Sequence, residues 1–179
     1  MNLAKLLIGV GLITLFLSGI LFWERNNPQR LSFAESSYLN KTIEASSSAI
    51  PAEIIIPAIN LDLPIIPAKL NNNKWEATTK GISYLSSSPI PGEKGNSILY
   101  GHNWPNLLGN ITKLKPGQVI QIKSADGKAK NFVINSTVTV SPIDTEILAP
   151  SKNPQITLYT CTGFLDNKRF VVVAKPSKN

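Results

Sequence analysis

Twelve of the chain's 13 prolines fall after residue 50, together with eight of its 11 glycines. That spacing leaves no room for long helices, because an interior proline removes a backbone donor and clashes with the preceding turn. The runs between these breakers are short and rich in Ile, Val and Thr, residues that suit a pleated, half-buried surface. Residues 50–179 therefore predict one all-β domain, a sandwich or a barrel. Eight runs suit strands: 52–56, 63–66, 74–77, 97–100, 119–123, 131–140, 155–160 and 169–174. Turn signals separate them at Asn71-Asn72-Asn73, Pro91-Gly92, Pro116-Gly117 and Asp126-Gly127. One or two short helices are expected, near 79–85 and 106–114. Pro57, Pro64 and Pro67 withhold ladder donors, so the opening stretch is expected along a sheet edge.

The N-terminal end has a different character. Residues 6–23 carry no charge. As a helix rising about 1.5 Å per residue, this run spans about 27 Å, close to a bilayer's hydrocarbon core. Lys5 precedes it, Trp23 ends it at interface depth, and Glu24 and Arg25 follow. A cleavable signal peptide shares these features. No small-x-small cleavage site follows the run, so a retained transmembrane anchor is expected. Charge alone does not orient it, since Arg25 and Arg30 oppose Lys5. Residues 1–5 then form a short end, 6–23 the anchor, 24–49 a spacer and 50–179 the domain. The spacer holds six Ser and no Gly. It reads as a partly ordered stalk with at most a weak helix over 31–44.

Charge and cysteine content exclude several classes. The chain carries 18 Lys plus Arg against 11 Asp plus Glu, a formal +7. From residue 50 onward the cations are 13 Lys and one Arg, spread rather than clustered. Nucleic-acid readers favour Arg for bidentate base contacts, and only 7% of residues are aromatic, so no nucleic-acid partner is expected. A solvated lysine surface, with some attraction to an anionic envelope, is the plainer reading. One Cys and one His rule out a disulfide framework and multi-Cys or multi-His metal ligation.

Three residue types occur once in the domain: His102, Cys161 and Arg169. Singly, each has an ordinary reading: a buried small hydrophobe, a loop histidine, a surface ion-pair partner. Their settings argue otherwise. Cys161 ends the β-type run Ile156-Thr157-Leu158-Tyr159-Thr160, His102 follows Ser97-Ile98-Leu99-Tyr100-Gly101, and Arg169 opens Phe170-Val171-Val172-Val173. Strand ends are where a rigid scaffold meets functional loops, so all three can converge on one rim. A thiol needs nearby cations to ionise, and a developing oxyanion needs a fixed donor such as a guanidinium.

With those residues in view, the sequence resembles the sortase family. Thr157-Leu158-Tyr159-Thr160-Cys161 is similar to the signature Thr-Leu-x-Thr-Cys. Gly101-His102 and Arg169 resemble that family's histidine and arginine motifs, in the same order along the chain. Pro91-Gly92-Glu93-Lys94-Gly95-Asn96-Ser97 and Lys115-Pro116-Gly117 resemble its turns. Val140-Ser141-Pro142-Ile143-Asp144-Thr145-Glu146-Ile147-Leu148 resembles the stretch leading into its substrate loop. The resemblance covers about residues 50–175.

It implies a closed eight-stranded β-barrel and a cysteine transpeptidase on the outer face of a cell membrane, its N-terminal end in the cytoplasm. By the same resemblance, Cys161 attacks the Thr–Gly carbonyl of a Leu-Pro-x-Thr-Gly-like sorting motif on a surface protein. His102 shuttles the protons, and Arg169 holds the substrate backbone or the oxyanion. Thr160 helps hold the acyl group through its hydroxyl or amide. Residues 143–154 form the closing loop, with Ile147, Leu148 and Ala149 as its apolar surface. The acceptor is an amine, from a peptidoglycan cross-bridge or a pilin lysine. No cofactor is implied. Glu93, Asp144 and Glu146 are too few for a carboxylate cluster, so no calcium requirement is expected. Trp104 is either an anchor on the barrel or a site-lining residue. The spacer lacks the Asp-Pro-aromatic signature of pilus-type lids, so no inhibitory lid is expected.

Three rivals stand beside this reading, one of them a sortase fold that acts mainly as a hydrolase. A papain-like hydrolase places Cys before His, usually on a helix, opposite to the order here. An anchored, non-enzymatic β-barrel would bury Cys161 as an inert thiol.

Overall fold

Period-2 runs and buried apolar positions build the wall of a closed barrel. The computed structural model describes residues 3–25, 27–33, 50–71 and 74–177. Helix α1 (Leu3–Arg25) is followed by a 3-10 turn, Pro28–Leu31. The strands are β1 (Pro51–Ile56), β2 (Leu61–Ala68), β3 (Leu70–Asn71), β4 (Lys74–Trp75), β5 (Ile82–Leu85), β6 (Asn96–Gly101), β7 (Val119–Ser124), β8 (Ala129–Val140), β9 (Gln155–Thr162) and β10 (Lys168–Pro176). Eight of them close in the order β1-β2-β5-β6-β9-β10-β8-β7, and β7 returns to β1 through Ile54↔Ile122. The pairs β2–β5 and β6–β9 are parallel, and the remaining barrel pairs are antiparallel. β3 and β4 form a separate two-stranded hairpin.

The all-β expectation and the eight-stranded barrel hold, with local corrections. Residues 82–85 are strand β5, not helix; all four are buried, so no polar alternation marks them. The helix expected over 106–114 reduces to a 3-10 turn at Gly109–Lys113. The run 74–77 yields only β4, outside the barrel. The opening prolines do not lie at an edge. Leu61–Pro64 pairs with β1 and Ile65–Ala68 with β5, so β2 changes partner midway. Each half is bonded on one side only, which leaves room for Pro64 and Pro67. Pro57 begins a 3-10 turn, Pro57–Ile59, where its fixed φ is an asset.

Two apolar clusters fill the barrel. The larger includes Ile54, Ile82, Leu99, Leu108, Ile111, Ile120, Phe132, Ile156 and Val172. The second sits at the end where β6, β9 and β10 carry the three singular residues, and gathers Trp75, Tyr100, Leu148, Tyr159 and Cys161 with Leu31 and Phe33 from the N-terminal segment. Tyr100 and Tyr159 stack at 5.5 Å, and Phe33 meets Tyr159 edge-on at 4.9 Å. Such pairs add roughly 0.5–1.5 kcal/mol to their burial.

Leu3–Glu24 is long and apolar enough to cross a membrane. Its Leu, Ile and Phe side chains are exposed all round, leaving no face to pack on the barrel. The helix expected over 31–44 lies, beyond Phe33, outside the described residues.

Candidate active site

Strand register brings the three singular residues together. Arg169 pairs directly with Cys161 across β9–β10. On the other side Gly101 pairs with Thr160 in the parallel β6–β9 ladder, so His102 emerges beside Cys161. Three adjacent strands thus end in an imidazole, a thiol and a guanidinium. All three residues are buried, at 4–5% exposure. His102 lies flat on the Trp104 ring, with centroids 4.6 Å apart, so Trp104 lines the site. The Arg169 fork donates to main-chain oxygens: Nη1 to Asp166 O at 3.0 Å and Lys168 O at 2.9 Å, Nη2 to Ser32 O at 2.9 Å. Its Nε is buried without a partner, a donor still open to an incoming acceptor.

The expectation of an uncovered site is overturned. The N-terminal segment lies across it, and three consecutive carbonyls make the contact. Cys161 Sγ donates to Arg30 O at 3.1 Å, Tyr159 Oη to Leu31 O at 3.0 Å and Arg169 Nη2 to Ser32 O. Leu31 and Phe33 are buried beneath, and the Phe33 ring lies 5.9 Å from the Arg169 guanidinium carbon. Arg30 pairs with Asp166 at 3.1 Å and Glu24 at 3.2 Å. The residues expected to act as a stalk therefore begin as a cover, held by main-chain hydrogen bonds and the apolar anchors Leu31 and Phe33 without an Asp-Pro-aromatic sequence.

Covering decides the protonation states. Burial pushes the Cys161 thiol up to about 11; Arg169 and Arg30 pull it down and Asp166 pushes it further up. Burial also lowers the His102 imidazole, with the Asp166 charge opposing. At neutral pH the covered pair is thiol and neutral imidazole, which fits a thiol donating to Arg30 O. A rise from 9.0 to about 11 leaves roughly a hundredth of the ordinary thiolate, and thiolate is the form that alkylates. Replacing both Leu31 and Phe33 by Ala removes the cover's apolar anchors, each worth about 2 kcal/mol of burial. In that double variant, Cys161 should react with iodoacetamide at pH 8 about 10–100 times faster, followed by intact-mass spectrometry. An unchanged rate would mean that the segment does not shield the thiol in solution.

The remaining expected residues fall into two groups. Thr160 is fully buried and its hydroxyl donates to Gly101 O at 2.7 Å. That hydroxyl fastens β9 to the strand end carrying His102, and so is not free to hold an acyl group. Leu148 is buried in the cluster around Cys161, and Ile147 packs against it. The carbonyls of Ile147 and Ala149 accept from Asn96 Nδ2 at 3.0 and 3.2 Å. Asn96, met in the sequence only as part of a turn, also accepts from the Thr157 hydroxyl at 2.7 Å and so pins this loop to the barrel. Asp166, unremarked in the sequence, accepts from Asn103 Nδ2 at 2.7 Å and ties the histidine loop to the Cys–Arg connection. Among the described residues, no group of three or more His, Cys, Asp or Glu side chains is arranged to hold a metal.

The histidine loop closes tightly on Gly109. A Cβ there would lie 2.7 Å from Asn103 O and 2.8 Å from Trp104 O, both backbone atoms that cannot swing aside. Gly109→Ala should therefore displace the His102–Trp104 stretch. We expect kcat to fall at least tenfold, since an ångström of misplacement carries such a penalty. Activity near the parent's would show that the loop yields without moving the imidazole.

Several sortases are similar to this chain in sequence and in fold. The chain is 28% identical over 124 residues to sortase A of Bacillus anthracis, covering 68% of this chain and 56% of that protein. It is 24% identical over 147 residues to sortase A of Listeria monocytogenes, covering 80% and 64%. The chain thus spans less than two thirds of the length of either relative. The solved structure of a lid mutant of sortase A from Corynebacterium diphtheriae superposes with a TM-score of 0.62 at 30% identity, covering 73% of this chain and 71% of that one. Residues 54–177 match the sortase domain model, and the chain belongs to the sortase family.

Proposed function

We propose that this chain is a membrane-anchored cysteine transpeptidase. It cleaves a Leu-Pro-x-Thr-Gly-like sorting motif of a surface protein between Thr and Gly and passes the acyl group to an amine. The observation that carries the reading is the register of β6, β9 and β10, which flanks the Cys161 thiol with His102 on one side and Arg169 on the other. Residues 1–5 are the cytoplasmic end, 6–23 the anchor, 24–49 the spacer and 50–179 the catalytic domain on the extracellular face.

The chemistry follows from what the site holds. The sorting motif displaces the N-terminal segment, and its carbonyls take over the donors that Arg30 O, Leu31 O and Ser32 O occupy. Cys161 sulfur forms a bond to the Thr carbonyl carbon while its proton passes to His102. Arg169, with an Nε still to be satisfied, donates to the substrate backbone or the oxyanion. His102 then protonates the leaving glycine amine, leaving a thioester. An acceptor amine, from a peptidoglycan cross-bridge or a pilin lysine, gives its proton to His102 and replaces the sulfur. Ile147, Leu148 and Ala149 line the motif's apolar end, and Thr160 acts through its backbone.

The test is the full chain in detergent micelles, incubated with a panel of sorting peptides and followed by intact-mass spectrometry. An adduct on Cys161 that resolves to an amide on adding an amine is the expected result. No adduct with any peptide, together with a thiol that resists alkylation even with Leu31 and Phe33 replaced, would leave an inert barrel.

A further inference from the structure

Arg30 brings two groups to the site at once. Its carbonyl oxygen accepts a hydrogen bond from the Cys161 thiol, and its guanidinium donates to Asp166 Oδ2 at 3.1 Å. Asp166 is held from three sides. Its Oδ1 accepts from Asn103, the residue after His102, and its backbone oxygen accepts from Arg169 Nη1. Its own backbone is left-handed, as is that of Leu165, at φ 60 and 51. Non-glycine residues persist there only where the surroundings impose it, and such strain gathers at functional sites. The side chain is 14% exposed. Its charge is felt at both His102 and Cys161. A half-sequestered carboxylate beside the thiol is therefore fixed in place and met by a cation, and that cation belongs to the segment that must leave before a substrate can enter.

We propose that Asp166 receives the ammonium group of the acceptor, in the place that the Arg30 guanidinium holds in the covered form. This rests on the transpeptidase reading above and names what selects its second substrate. An α-amine or lysine amine is largely protonated at neutral pH, with ordinary pKa values of about 8 and 10.4. A carboxylate beside the thioester concentrates that cation and orients its nitrogen, whereas water carries no charge for it to concentrate. One proton leaves the ammonium for solvent. The nitrogen then bonds to the thioester carbonyl carbon as the carbon–sulfur bond breaks, and its second proton passes through His102 to the Cys161 sulfur. The products are one amide, one thiol and one released proton, and no further reactant is needed.

The experiment uses the full chain in micelles, acylated by a Leu-Pro-x-Thr-Gly peptide, at pH 7. The nucleophile is triglycine, which carries an ammonium, or hydroxylamine, which is uncharged. The readout is the ratio of amide or hydroxamate to free acid, which refers to a single acyl-enzyme and is unmoved by slower acylation. Asp166→Asn suits the test because asparagine tolerates left-handed backbone. With triglycine the ratio should fall about tenfold or more, the scale of a lost charge-assisted contact; with hydroxylamine it should stay within about twofold. Equal falls with both nucleophiles, or no fall with either, would overturn the assignment. In Arg30→Ala the cation that occupies Asp166 in the covered form is gone, so the acyl adduct should form severalfold faster while the triglycine ratio stays near the parent's; a ratio that falls as in Asp166→Asn would count against the assignment. Failure of both the parent and Arg30→Ala to form any acyl adduct is a different result, one that removes the transpeptidase reading itself.

Discussion

Replacing Cys161 by alanine leaves a folded chain that forms neither an acyl adduct nor an amide product. The expected loss is complete within detection, because nothing else near the site can replace the sulfur: the domain has one thiol, flanked by an imidazole and a guanidinium. Folding should survive. Cys161 is buried at the outer edge of the second apolar cluster, and losing its sulfur costs about 1 kcal/mol. The hydrogen bond to Arg30 O goes with it, but that contact is only part-buried, so its loss adds little. Intact-mass spectrometry with a sorting peptide reads the chemistry, and circular dichroism with thermal melting reads the fold. Substantial product from a folded Cys161→Ala chain would end the covalent mechanism.

The same residues mark what can be read from sequence and what cannot. Cys161, His102 and Arg169 stand out because each is singular and each ends a run with strand chemistry. The strand ends meet because β9 pairs with both β6 and β10. β5 was hidden because a strand buried on both faces lacks the alternation that identifies strands. Pro64 and Pro67 misdirect for a related reason: a strand that changes partner midway has two half-edges inside a closed wall. The cover over the thiol is illegible for a deeper one. Its hydrogen bonds join residues more than 120 positions apart, and its acceptors are the carbonyls of Arg30, Leu31 and Ser32. Backbone oxygens are common to every residue type, so no side-chain pattern announces them. The site reads main chain, and the N-terminal segment offers it some. Asp166 was hidden because its partners, Asn103 and Arg30, come together only in the fold.

In the proposed reaction Arg169 is the principal donor to substrate main chain, and here the second large effect is expected. Arg169 is 4% exposed and, among the described residues, has no carboxylate partner; backbone oxygens of Asp166, Lys168 and Ser32 satisfy its two outer nitrogens. Burying a cation against carbonyls alone is expensive and is tolerated where function requires it. The fork does two things. Its charge lowers the Cys161 thiol against the rise from burial, and its geometry spans one side of the site while keeping Nε free. Arg169→Lys separates the two, because lysine keeps the charge and loses the planar fork. We expect Arg169→Lys to lose about 10²–10³ in kcat/KM on a sorting peptide, the penalty for removing an oxyanion-type donor. The pH profile of Cys161 alkylation should stay near the parent's. Arg169→Ala should lose at least as much activity and shift that profile to higher pH, because the cation that opposes burial is gone. If Arg169→Lys keeps most of the parent's kcat/KM, the charge alone suffices and the role of the fork fails. If the lysine and alanine variants share one alkylation profile, Arg169 is not what holds the thiol down.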